Sequence, residues 1–298
     1  MENTRKNTSE TKLIYGAIAC MFLFLMCGEL FSLEWPGQSG RAIKNFAQND
    51  QGSPSRGIVF LQDESIFPID TGELLFMNTG NSHSSFPAPL GNWVAIQHQD
   101  ELISIYSHLS DFGPSSIPEI VDKQLPLAKS GLSGWTSSPA LQFSVFDRKT
   151  FGYVNPQLLI NTPDTEAPLI RQTILAGSDN QKILLGQTRS VRQGTYRFFV
   201  DAFDRGSFFG NNRVAPYQIN LYINGALQGQ LDLDLLRSKN GLLQVSLRNG
   251  QNIEKIYQKD GSYLVAEILL NRGKFLCEVI VVDAAGNQKS QTYQILVE

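Results

Sequence analysis

The sequence predicts an all-β protein in which two β-rich domains follow an apolar N-terminal segment. Beyond residue 50, short runs that alternate between apolar and polar residues are separated by clusters of Gly, Pro, Asn and Ser. The 18 Phe and 9 Tyr residues suit strands better than helices. A chain of 298 residues is long enough for two domains, each with its own core.

The overall composition excludes some classes of protein. Hydrophobic residues make up 42% of the chain and charged residues 18%, which is typical of a globular rather than a disordered protein. The net charge of −3 provides no basic surface for phosphates, so nucleic acid is not expected as a partner.

The N-terminus has the pattern of a signal peptide. Residues 1–12 are polar and contain three cations, and residues 13–27 are almost wholly apolar. This apolar run is short for a membrane span, so we expect cleavage after Ser32. An uncleaved anchor is the alternative, and lipidation of Cys27 is less favoured because a large residue precedes it. The rest of the chain is expected to be exported to the periplasm or cell envelope, with the membrane as a partner only if the segment stays uncleaved.

Changes in composition divide the remainder of the chain. Residues 33–53 are polar and Gly-rich and are predicted to form a lead-in or linker, and residues 54–160 a first domain. Residues 161–167 have the composition of a second linker, and residues 168–298 are predicted to form a second domain.

The first domain contains a series of short sequence fragments in a fixed order. The fragments begin with S-R-G-I-V and end with V-N-P, and they span about a hundred residues. They are Ser55–Val59, Phe67–Leu74, Gly91–His98, Ile105–Ser110, Leu127–Val145 and Val154–Pro156.

In order and spacing, this set resembles the lysostaphin-type (LytM) zinc peptidoglycan endopeptidases. The resemblance implies a small antiparallel sheet domain with a groove on one face. It also implies a zinc ion with three protein ligands and an open position for a water molecule.

The residues at the family's catalytic positions do not supply that chemistry. The three ligand positions of the family correspond to Ser55, Val59 and Gln142, and its two further histidines to Ala140 and His108. Only His108 is retained, so we expect no zinc and no catalytic residue. A site with shifted ligands would have to use His83, His98, Asp63 and Glu64, and solvated or structural roles are favoured for these histidines.

The same positions define a predicted binding groove formed by Tyr106, His108, Trp135 and Gln142. An aromatic side chain such as Trp135 at the rim of a groove is a common anchor for sugars or partner side chains. Packing of the turn by Trp135 is an equal alternative. For His108, packing beside Tyr106 is favoured over a functional role.

The second domain shows a cleaner alternation of apolar and polar residues. Asn224-Gly225 between two alternating runs is a strong hairpin signal. The short strands, an E-A-P opening and a V-D-A-A-G-N turn resemble an immunoglobulin-like β-sandwich, although the cysteine pair of true immunoglobulins is absent. Cys277 lies on an apolar face and is predicted to be a buried, unreactive thiol.

Three aspartates of this domain raise the question of calcium. Asp201, Asp204 and Asp283 lack the dense spacing of a calcium-binding loop, so solvated turn carboxylates are the favoured interpretation.

The resemblance then predicts an exported, non-catalytic LytM-type protein that regulates or scaffolds peptidoglycan remodelling. Its partner would be a cell-wall hydrolase or a peptidoglycan peptide. Two alternatives stay open, namely an active zinc endopeptidase with an altered ligand set and a module that binds cell-wall glycopeptide.

Overall fold

The computed structural model describes residues 33–37, 41–50, 53–61, 64–79, 88–110, 112, 117–179, 181–210, 212–239, 241–247 and 256–298. The predicted signal peptide, His83 and Asp63 lie outside the described residues. No helix within these ranges is long and apolar enough to cross a membrane.

Among the described residues, the regular secondary structure consists of strands and short 3-10 helices, which confirms the predicted all-β fold class. Up to residue 154 the strands are β1 Arg41–Lys44, β2 Asn49–Asp50, β3 Ser53–Pro54, β4 Ile58–Leu61, β5 Ser65–Ile66, β6 Gly72–Asn78, β7 Asn92–Gln97, β8 Leu102–Leu109, β9 Ile120–Val121, β10 Ala128–Lys129, β11 Ala140–Asp147 and β12 Gly152–Val154.

Ten more strands follow along the remainder of the chain. They are β13 Leu169–Ala176, β14 Lys182–Leu184, β15 Ser190–Val191, β16 Gly194–Phe203, β17 Gln218–Ile223, β18 Ala226–Lys239, β19 Leu242–Leu247, β20 Tyr263–Leu270, β21 Gly273–Val282 and β22 Gln288–Val297. The 3-10 helices are Gln99–Glu101, Pro156–Leu158 and Ser207–Phe209.

One 14-stranded sheet runs through both parts of the chain. Its order is β15-β22-β21-β17-β18-β12-β11-β8-β7-β6-β9, with β4 beside β11, β1 beside β4 and β19 beside β18. The link between the two parts is the antiparallel pairing of β12 with β18, where Tyr153 lies opposite Leu236. Residues 33–298 consequently form one compact unit. The boundaries of the two predicted domains stay a prediction.

Among the described residues, two large buried clusters form most of the core, and a small third cluster contains Ile174, Ala176, Phe199 and Leu264. The first part is built around Ile58, Leu141 and Phe143, and the second part around Phe198 and Val279. In the second part, β14-β13-β16-β20 forms a separate four-stranded sheet that shares the second cluster with the large sheet. The hydroxyl of Tyr293 on β22 donates a hydrogen bond to Oγ1 of Thr173 on β13 (3.1 Å), which joins these two layers.

The lead-in over 33–53 differs from its expected irregular structure. Arg41–Lys44 is a strand that pairs with β4, and Phe46 is buried in the core of the second part. The indole N–H of Trp35 donates to the carbonyl oxygen of Asn161 (3.2 Å), and its ring packs on Phe208 (4.7 Å between centroids). Long-range pairing of this kind leaves no local periodicity, so the sequence pattern did not reveal it.

Two local predictions for the second part are confirmed. Asn224 and Gly225 both have positive φ (49° and 79°), as the tight turn between β17 and β18 requires. Cys277 is buried on β21, and burial raises the pKa of its thiol to about 12. A thiol with so high a pKa has almost no thiolate form near neutral pH and is unreactive.

Candidate functional site

A cavity of about 280 Å³ lies on the face of the large sheet at β4, β8 and β11. Its lining is Ile43, Lys44, Val59, Leu61, His108, Trp135, Thr136, Ser137, Ser138, Ala140 and Gln142. Five of the residues singled out in the sequence therefore meet here, namely Val59, His108, Trp135, Ala140 and Gln142.

Strand alternation explains how the wall forms. On β11, Leu141 and Phe143 are fully buried in the core, so Ala140 and Gln142 face the other way, toward the cavity. Gln142 lies directly opposite Val59 on β4, so the two residues stand side by side in the wall.

His108 reaches the cavity because the backbone of β8 is irregular at this residue. Asn92 of β7 lies opposite Leu109, but Trp93 lies opposite Ser107, which leaves His108 as the extra residue of a β-bulge. Its φ is +64°, a left-handed conformation that is uncommon for a residue other than glycine. The bulge turns the imidazole away from the core face occupied by Tyr106.

The imidazole of His108 is held in one orientation. Its Nδ1 lies 2.9 Å from the carbonyl oxygen of Ser133, which can only accept, so Nδ1 carries the hydrogen. The ring is 6% exposed and lines the cavity, so Nε2 is the nitrogen left for a ligand.

Ser133 connects the two loops behind the cavity. Its hydroxyl donates to the carbonyl oxygen of Leu109 (2.7 Å) and accepts from the backbone N–H of Asn92 (2.9 Å). The loops also touch at Gly91 and Gly134, where an added Cβ on Gly134 would lie 2.5 Å from the nitrogen of Gly91. Both glycines have positive φ (61° and 76°), so the contact requires glycine on each side.

Trp135 follows this glycine contact and stands at the rim. Its backbone N–H donates to the carbonyl oxygen of Pro89 (2.9 Å), which fixes the main chain. The side chain is 73% exposed, so the alternative in which Trp135 packs the turn does not describe the structure.

Two predicted site residues lie outside the cavity. Tyr106, predicted to line the groove, is wholly buried: its ring packs on Phe143 (5.4 Å between centroids), and its hydroxyl accepts from the N–H of Ile69 (2.9 Å). Burial raises the pKa of its phenol well above the usual value. Ser55 is also buried, and its hydroxyl donates to the carbonyl oxygen of Gly57 (2.6 Å). The prediction for Tyr106 is wrong because a regular strand would have placed it on the same face as His108.

The residues present do not fit the zinc ion of the resembled family. Val59 and Ala140 carry no donor atom, Ser55 lies outside the cavity, and Gln142 offers a neutral amide. His98 is no substitute, because Nδ1 lies 3.1 Å from the carbonyl oxygen of Thr71 and Nε2 2.6 Å from Oγ of Ser104. Burial lowers the pKa of the His98 imidazole, and the hydrogen bond with Thr71 opposes this shift.

Three carboxylates meet at a different place, in the second part. Asp164, Asp204 and Asp283 each place an oxygen within 4.8 Å of the others. The interpretation of Asp204 and Asp283 as solvated is wrong, since they are 4% and 2% exposed, and Asp201 instead forms an ion pair with Arg171 (2.5 Å). Burial raises the pKa of Asp204 to about 6, and the charges of the other two carboxylates add to the shift.

A protein-family model matches residues 167–298 of the chain, which is less than half of the sequence. The comparison with curated proteins gives no match.

The chain is similar over part of its length to several solved structures. One is a mutant catalytic domain of the prophage-encoded M23 protein EnpA from Enterococcus faecalis, with 22% identity over 43% of this chain and 95% of that chain (TM-score 0.34). Another is the catalytic domain of lysostaphin from Staphylococcus simulans, with 18% identity over 40% of this chain and 87% of that chain (TM-score 0.31). The SpoIIQ–SpoIIIAH pore-forming complex matches with 18% identity over 44% of this chain and 92% of that chain (TM-score 0.35).

Proposed function

We propose that the protein is an exported, non-catalytic LytM-type component of the cell envelope, with an immunoglobulin-like second part. It regulates or scaffolds peptidoglycan remodelling by holding a partner at the cavity around His108. One observation supports this proposal: Val59, His108, Ala140 and Gln142, which stand at positions of the resembled family's active site, meet in one cavity, while the residues at its metal positions do not offer a zinc donor set.

The backbone around the cavity has two features that packing of the core alone does not require. The left-handed conformation at His108 costs about 1–3 kcal/mol, and it aims an oriented imidazole into the cavity. The close glycine contact at Gly91 and Gly134 holds Trp135 at the rim. An oriented hydrogen-bonding group, a neutral amide from Gln142 and an exposed aromatic anchor are suited to binding rather than hydrolysis.

The proposed partner is a cell-wall hydrolase that uses the cavity as a docking point. The first experiment captures partners from an envelope extract with the purified chain, beside a Trp135→Ala variant. We expect a hydrolase to be retained by the parent chain and to be reduced at least tenfold by the substitution. Retention of the same proteins by a variant substituted at the distant, exposed Leu269 serves as the control.

A second candidate function is binding of cell-wall glycopeptide, which the 73% exposure of Trp135 favours. It predicts that the protein sediments with purified peptidoglycan sacculi and that Trp135→Ala releases it. Strong sedimentation without a retained hydrolase would favour this function over the first.

The enzyme alternative is tested by metal analysis of the purified protein together with a sacculus-hydrolysis assay. We expect less than one tenth of an equivalent of zinc and no hydrolysis. One equivalent of zinc with turnover would overturn the non-catalytic proposal.

A further inference from the structure

A second groove, of about 770 Å³, runs along β22 in the second part of the chain. It is more than twice as large as the cavity around His108 and shares no residue with it. Its walls come from β21, β22, the segment before β15 and the turn at Asn224.

The groove follows a strand edge that the described residues leave open over most of its length. β22 pairs with β21 through all ten residues without a register shift, but on its other side, among the described residues, only Leu296 and Val297 pair, with β15. The N–H of Leu296 points outward, to the carbonyl oxygen of Arg189. Because this direction alternates along a strand, Thr292 and Gln294 also direct their N–H and C=O groups outward.

These outward groups have no backbone partner within the part of the chain that the structure describes. Natural proteins usually protect such an edge with a proline, a bulge or an inward charge. β22 has no proline and a regular register, so its edge is available to pair with a further strand.

The charge in the groove has one sign. Arg189 and Lys274 both line it, and none of the described residues in its lining is acidic. Lys274 on β21 lies opposite Leu296 of β22. Arg189 lies at the outer edge of the same leucine, where its carbonyl oxygen accepts the Leu296 N–H. Neither cation forms an ion pair among the described residues. Since strands lie about 4.8 Å apart, a strand added at the edge of β22 lies about 9.6 Å from β21, so Lys274 can contact it only through a long acidic side chain, such as glutamate, that extends back over β22.

Apolar surface lies between the two cations. Leu276 is 44% exposed and Leu296 is 39% exposed, and both line the groove. A ligand that satisfies these features carries main-chain hydrogen-bonding groups, carboxylates and an apolar side chain in alternation.

We infer that the edge of β22 binds an extended acidic segment of a partner protein as an added β-strand. Its main chain pairs with Thr292 and Gln294, its carboxylates contact Arg189 and Lys274, and an apolar side chain covers Leu296. Main-chain pairing supplies affinity, and the charges and the leucines supply selectivity. This surface is separate from the cavity of the proposed function and does not depend on it.

The test uses the purified chain and blocked seven-residue peptides in which valine alternates with glutamate or with lysine. We expect the glutamate peptide to bind saturably and to bind more weakly at high salt. The lysine peptide should bind at least tenfold more weakly. Binding of the glutamate peptide should slow the hydrogen exchange of residues 288–296. A glutamate peptide with N-methylated main-chain amides should bind at least tenfold more weakly, because it cannot pair as a strand.

The double substitution Arg189→Glu with Lys274→Glu should weaken binding of the glutamate peptide at least tenfold. The double substitution Arg272→Glu with Lys289→Glu is the matched control, since it makes the same two charge reversals at exposed residues that do not line the groove, and its effect should stay under threefold. No saturation at 1 mM peptide, equal binding of both peptides, or protection confined to another region would overturn the inference.

Discussion

Around His108 the wall of the cavity contains no carboxylate among the described residues, whereas at Asp204 three carboxylates crowd together and two of them are buried. The sequence directed attention to the first place, because the fragments around it resemble a metalloenzyme. The second place had no motif, and its members lie at residues 164, 204 and 283.

The difference shows that the sequence specifies the backbone conformation of a site separately from the ionisable side chains that meet in it. At the cavity, turns and a bulge hold the backbone, and the described lining residues include no carboxylate. At the cluster, ordinary strand ends and a linker bring acidic groups together, and burial raises the pKa of Asp204. Four experiments test this difference between the two sites.

The largest expected effect is on the carboxylate cluster. Asp204 has a pKa of about 6 in the folded protein against the usual 3.8 of an aspartate in an unfolded chain, so between these values the folded protein holds a proton that the unfolded chain has lost. Stability contributed by this proton is therefore complete below pH 3.8 and is lost as pH rises to about 6, by roughly 3 kcal/mol.

Urea unfolding of the parent chain and of Asp204→Asn from pH 4 to pH 7 measures this loss, which the variant should lack. The carboxyl of Asp260 serves as the control, because it should not contribute to the pH dependence of stability in this range. Burial would raise the pKa of this carboxyl, but hydrogen bonds from Lys182 and Ser262 lower the pKa to about 2, so it titrates below this range. A pH dependence that is the same for the parent chain and Asp204→Asn would show that the cluster does not titrate as inferred.

The next effect concerns the frame of the cavity. In Gly134→Ala the new Cβ would lie 2.5 Å from backbone atoms of Gly91 and Pro89, at a φ of +76°. We expect a loss of about 2–3 kcal/mol in the free energy of unfolding, measured by denaturant titration.

Gly225→Ala is the matched control, because Gly225 has a similar φ of +79° but no atom within 4 Å of the added Cβ. It isolates the conformational cost, about 1 kcal/mol. Equal losses in the two variants would mean that the loop contact at Gly134 is not tight.

A smaller effect is expected from Ser133→Ala. The substitution removes the hydroxyl that joins Leu109 to Asn92 but keeps the carbonyl oxygen that holds His108. A stability loss of about 1–2 kcal/mol should appear in denaturant unfolding. Nuclear magnetic resonance of the His108 ring should still show the hydrogen on Nδ1, and its loss would mean that the hydroxyl, not the carbonyl, fixes the ring.

The smallest effect on stability is expected from Trp135→Ala. Because the indole is exposed, the free energy of unfolding should change by less than about 0.5 kcal/mol. Binding at the cavity should nevertheless weaken in the assays described above. A large loss of stability would instead mean that Trp135 packs the turn and is not a binding anchor.

Much of the fold followed from local patterns in the sequence. Alternation placed Phe198, Val200 and Cys277 on buried faces, and Asn224-Gly225 specified its turn through backbone sterics alone. That Val59 and Ala140 cannot supply a metal ligand could also be read directly, because an aliphatic side chain has no lone pair wherever the chain places it.

The tertiary structure decided which of these residues meet. Tyr106 and His108 are two positions apart and were predicted to share a face, but the bulge set by pairing with β7 separates them. The strand at Arg41–Lys44 and the meeting of Asp164, Asp204 and Asp283 depend on contacts between distant parts of the chain. Periodicity reports only the environment of one element, so register between strands and the convergence of separate loops could emerge only from the folded chain.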